Sequence, residues 1–76
     1  ADRAQFINQM VEQLAARLKQ NGNDLEGWLK LVRAYKVLGR DADATEALAS
    51  ARKSLASDEK GLAALDGLAK ELGLGS

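Results

Sequence analysis

Three cations recur at every third residue in the middle of the chain: Lys30, Arg33 and Lys36. With Arg40, and against Glu26 alone, they give residues 25–40 a net charge of +3, in a chain whose 11 basic and 11 acidic residues balance. Lysine and arginine grouped on a helix can hold a peptide carboxylate or an acidic helix through charge-assisted hydrogen bonds. The same spacing also suits a solvated face, with Glu26 and Lys30 as an i,i+4 pair contributing about 0.2 to 0.5 kcal/mol. Two carboxylate pairs, Asp41 with Asp43 and Asp58 with Glu59, could do acid–base work. Each stands at a predicted helix start, however, where capping and the helix dipole account for it. Ser50, Ser54 and Ser57 have no base for activation, because the chain contains neither His nor Cys. That absence excludes Cys/His zinc sites, disulfides, thiol nucleophiles and Ser-His-Asp triads, and no glycine-rich phosphate loop is present. The expectation is a non-enzyme with no catalytic residue, no metal and no cofactor.

The elements that must position these cations are helices. Of the 76 residues, 35 are apolar, and 14 of those are Ala and 13 Leu; there is no Pro, and only three Val, one Ile and one Thr are available for strands. The fold class is all-α. Phe6, Ile7, Met10, Val11, Leu14 and Leu18 step by three and four, which predicts a helix over about residues 3 to 20. Asn21-Gly22-Asn23-Asp24 ends it, with Gly22 suited to a left-handed C-terminal cap and Asp24 to an N-cap of the next helix. Leu25, Trp28, Leu31, Val32, Tyr35 and Leu38 carry a second helix that stops at Gly39. Asp41, Asp43 and Glu46 open a third, whose apolar face is Ala44, Ala47, Leu48, Ala51 and Leu55. Ser57 or Asp58 caps a fourth, with Leu62, Leu65, Leu68, Ala69 and Leu72, closed by Gly73. Connections this short make consecutive helices antiparallel neighbours.

Balanced charge argues against nucleic acid or an anionic membrane surface as partner. The longest uncharged stretch, Ala4 to Val11, is far below a membrane span, so this stretch of protein is expected to be soluble. It opens without Met and closes on Gly75-Ser76, which reads as an excised piece of a longer protein with a vector scar at 75–76. Residues 1–74 then form a single domain.

The second and third helices fit one 34-residue unit, 25–58. Trp28, Leu31, Tyr35, Gly39, Ala44, Leu48 and Ala51 resemble the tetratricopeptide repeat pattern, and these seven are the expected structural core. Trp28 and Tyr35 also suggest an aromatic ligand platform, but their spacing suits a core. Val32 stands where that pattern favours a small residue, Ala56 where it favours proline, and Asp41 where it favours an aromatic. The first helix looks like the second half of a preceding repeat. Leu62, Leu65, Ala69 and Gly73 stand at the offsets of Trp28, Leu31, Tyr35 and Gly39, as the first half of a following one. The architecture expected is four antiparallel helices in tetratricopeptide-like hairpins, one complete repeat between two half-repeats. About three hairpins are normally needed to bury such faces. The incomplete array is therefore expected to lean on more chain or on a second copy, with exposed Phe6, Ile7 or Leu74 as contact residues for missing helices or for a homodimer through the end helices.

Residues 9–40 carry a narrower likeness. Met10 to Leu18, Asn21 to Asp24, Leu25-Glu26-Gly27-Trp28-Leu29-Lys30-Leu31 and Arg33-Ala34-Tyr35-Lys36-Val37-Leu38-Gly39 resemble the CcmI/CycH family of bacterial cytochrome c biogenesis proteins. The resemblance implies the periplasmic tetratricopeptide domain of a membrane-anchored protein that holds apocytochrome c, its C-terminal region being the partner segment, for haem ligation. It also implies a peptide groove lined by the first helix of each hairpin, hence by Lys30, Arg33, Lys36, Lys60 and Lys70, with no direct membrane contact by this fragment. The alternatives are a structural capping or self-association module of a longer adaptor, and a cytoplasmic cochaperone-like adaptor.

Overall fold

The computed structural model describes residues 3–74, so the reading of 75–76 as a vector scar lies outside the described residues. The described residues are all-α: α1 spans Arg3–Gln20, α2 Leu25–Val37, α3 Asp41–Ser54 and α4 Glu59–Leu72. These are the four helices that the apolar spacing predicts.

The repeat period is visible in the way α2 and α4 begin and end. The Asp24 carboxylate accepts the Gly27 amide at 3.1 Å, and the Asp58 carboxylate, one repeat length on, accepts the Gly61 amide at 3.0 Å. Each satisfies an amide that the first helical turn leaves without a partner. Glycine at the third helical position of both leaves room for the cap, since a Cβ there would stand 2.7 Å from Asp24 Oδ2 in α2 and 2.8 Å from Asp58 Oδ2 in α4 and would displace the carboxylate. The exits match as well: Gly39 and Gly73 adopt φ of 75° and 69°, the left-handed conformation that glycine reaches without a Cβ penalty. Asp24→Ala is expected to lower stability by about 0.5 to 2 kcal/mol in a urea melt.

Gly22 corrects one expectation. Its φ is not positive, so it is no left-handed cap. Its lack of a side chain is explained by packing instead, because a Cβ would collide with the Ser54 hydroxyl at the end of α3. Arg40 occupies the N-cap of α3 with no side-chain cap bond, and Asp41 and Asp43 in the first turn complement the dipole.

α2 is the hub. It packs against each of the other three helices, α3 also meets α4, and α1 touches α2 alone. The core runs from Val11 and Leu18 through Trp28, Leu31 and Val32 to Ala44, Ala47, Leu48, Ala51, Leu55, Leu65, Leu68 and Ala69. Trp28 also donates its indole N–H to the Gly22 carbonyl at 2.8 Å, fastening the α1–α2 turn. Val32 on α2 is fully enclosed, as are Ala44 and Ala51 on α3. Leu74 is buried, not an exposed end contact: after the left-handed Gly73 the chain turns back and the Leu74 amide bonds the Ala69 carbonyl at 2.8 Å. Phe6 is 63% exposed, as expected of an end residue, and Ile7 is half-buried.

Candidate peptide-binding surface

Successive steps of three residues turn a helix by about 60° relative to one another, so Lys30 and Lys36 point about 120° apart. The structure bears the marks of this divergence. Arg33, between them, reaches across to α4 and meets Glu71 in a two-pronged pair, Nη1 to Oε2 at 2.9 Å and Nη2 to Oε1 at 3.4 Å. Lys36 turns toward α3 and pairs with Asp41 at 3.2 Å. Lys30 turns the other way, toward α1, and lines a cleft of about 340 Å³ with Ile7, Met10, Leu14, Arg17 and Ala34. Lys60 and Lys70 are exposed on α4, and neither they nor Lys30 has an ion pair among the described residues. The five cations thus spread over three sides of the α2–α4 layer. Arg33 and Glu71 mark the α2–α4 face.

The Arg33–Glu71 pair is half-exposed on both sides, so it contributes about 0 to 1 kcal/mol and is easily exchanged. A partner carboxylate that meets Arg33 replaces one solvated pair by another and adds whatever apolar contact it brings. Val37, one turn on from Arg33 along α2, is 78% exposed.

The residues expected as structural core divide by depth. Trp28, Leu31, Ala44, Leu48 and Ala51 are buried, Tyr35 is half-buried, and Gly39 is exposed in its turn. Tyr35 lies under the Arg40 guanidinium, 4.8 Å from ring centroid to Cζ. Burial raises the pKa of its hydroxyl, against the opposing pull of Arg40. Arg40 is the residue that charge counting undervalues. Its Nε donates to Asp43 at 2.8 Å and its Nη1 to Asn8 Oδ1 at 2.8 Å, so one side chain ties α1, α2 and α3 together. Only its position in the α2–α3 turn hinted at this.

The paired carboxylates serve the scaffold: Asp41 meets Lys36, Asp43 meets Arg40, and Asp58 caps α4. Among the described residues no group of three or more acidic, His or Cys side chains could hold a metal ion, and no helix is long and apolar enough to cross a membrane. A second cleft, about 350 Å³, opens between α1 and α3 over Trp28, Leu31 and Tyr35, with Lys19 and Lys53 on its rim and Asp43 and Glu46 also lining it.

Two curated relatives align with nearly the whole chain. The cytochrome c-type biogenesis protein CycH of Bradyrhizobium diazoefficiens is 49% identical over 96% of this chain, and its namesake in Rhizobium meliloti is 43% identical over 96%. The likeness supports the CcmI/CycH family. The chain spans 20% and 19% of the length of these two relatives. No protein-family model matches the chain, and no solved structure matches it.

Proposed function

We propose that this chain is a non-catalytic, tetratricopeptide-like scaffold that binds a protein segment during bacterial cytochrome c maturation. The segment is the C-terminal region of apocytochrome c, and the place is the periplasm, as the soluble part of a membrane-anchored protein. The observation that carries the reading is the 49% identity to a cytochrome c-type biogenesis protein along almost all of these residues. The geometry agrees with a binding role: α2 and α4 lie side by side, with Arg33, Lys36, Lys60 and Lys70 on them and exposed Val37 for apolar contact. No aromatic platform is needed, since Trp28 is buried in the core.

In this reading an acidic side chain of the partner takes Arg33 over from Glu71. Glu71→Gln is therefore expected to tighten binding of an apocytochrome C-terminal peptide a few-fold, and Arg33→Ala to weaken it about tenfold, the loss of one charge-assisted contact. Chemical-shift titration of the labelled chain reads both, with shifts at Arg33, Lys36 and Lys70 that shrink as salt is raised. No response at millimolar peptide would overturn the binding role and favour the capping or self-association module, for which exposed Phe6 and Met10 speak.

A further inference from the structure

A step of 34 residues carries the part of α1 from Ile7 to Gln20 onto α3, and α2 onto α4; the first four residues of α1 lie beyond the match. Under that step Met10, Leu14 and Arg17 correspond to Ala44, Leu48 and Ala51, which are 0%, 2% and 0% exposed. α3 hides these residues because it packs between two helices, α2 and α4. α1 packs against α2 alone, and its corresponding face stays open: Met10 is 53% exposed, Leu14 half-buried and Arg17 exposed.

The same step tells which side of α2 is bare. Ala34 corresponds to Leu68, which is buried on α4, and Val37 corresponds to Glu71, the residue that reaches back to Arg33 of α2. On α4 this side has α2 as its neighbour, while on α2 it is left with Val37 at 78% exposure. Between the two bare faces lies the cleft of about 340 Å³ lined by Ile7, Met10, Leu14 and Ala34, with Arg17 and Lys30 at its edge. Neither cation has an ion pair among the described residues.

We infer that this cleft seats one further amphipathic helix of the same polypeptide, standing before α1 in the chain and forming a hairpin with it. The position is a repetition of an interface that the fold already contains, that of α2 on α3 and α4. The relatives leave room for it, being about five times the length of this chain. Its chemistry follows from its seat: an apolar ridge at i, i+3 or i+4, and i+7 covers Ile7, Met10 and Leu14, and an acidic side chain faces Arg17 and Lys30.

Met10→Cys tests the seat, because these 76 residues contain no Cys of their own. The rate at which a small maleimide modifies residue 10 is read by mass spectrometry in the 76-residue chain and in the full-length protein. Ala16→Cys, exposed on α1 and outside the cleft lining, is the control. The expected result is modification at residue 10 slowed by about tenfold or more in the full-length protein, with residue 16 equally fast in both. Equal rates at residue 10 would overturn the inference, and so would slowing at both sites alike. Protection that rises with the concentration of the 76-residue chain would overturn it in favour of a second copy. Protection of the full-length protein only after addition of apocytochrome peptide would overturn it in favour of a partner helix.

Discussion

Trp28→Ala is expected to cost about 3 to 5 kcal/mol, the range for removing a large buried aromatic. A domain of this size has a total stability of roughly 4 to 11 kcal/mol, so this one substitution threatens the whole fold at room temperature. The size of the effect comes from two roles in one side chain. The ring is 4% exposed among Leu18, Leu31 and the alanines of α3, where little else is large enough to fill the space. Its N–H holds the Gly22 carbonyl at 2.8 Å, and with it the turn that sets α1 against α2. Trp28→Phe separates the roles. It keeps much of the apolar volume and loses the hydrogen bond, which contributes about 0.5 to 1.5 kcal/mol net. Urea melts followed by circular dichroism read both variants. A loss below about 1 kcal/mol for the alanine variant would overturn the core role.

The helices were legible in the sequence because this fold is written in local signals. Asp24 and Asp58 name two helix starts, Gly39 and Gly73 two ends, and the three-and-four spacing of leucines and alanines gives the faces between. What sequence spacing did not reveal depends on contacts across elements. Gly22 has the residue type of a left-handed cap, yet the constraint on it is Ser54, at the far end of a helix two elements later. Leu74 lies beyond the last helix and looks like a loose end until Gly73 folds it back against the core. The cationic surface was the least legible part. Periodicity shows that Lys30, Arg33 and Lys36 lie along one stretch of helix, but whether they pair depends on Glu71 and Asp41, and no local pattern couples residue 33 to residue 71.

Leu65→Ala is the second large effect, expected at about 3 to 5 kcal/mol, and it bears on whether α4 belongs to the cooperative unit. By spacing α4 matches only the first helix of the 34-residue unit, and an end helix of this kind can fold as an appendage. Leu65 is completely buried at the place in α4 that Leu31 holds in α2, and α4 packs on both α2 and α3. Removing the side chain leaves a cavity between three helices that cannot close without moving α2, the hub of the fold. Its consequence is therefore expected far from the mutation: the unfolding transition reported by Trp28 fluorescence should move to lower urea together with the circular-dichroism transition, with unchanged slope. Leu62→Ala, at a half-buried position on the same helix, removes the same atoms and is expected to cost less, about 1 kcal/mol, because those atoms were already partly in water. If Trp28 unfolds at its original urea concentration in the Leu65 variant while part of the helical signal is lost earlier, α4 is an appendage. The minimal cooperative unit is then the three helices α1 to α3, with Arg33 left facing solvent.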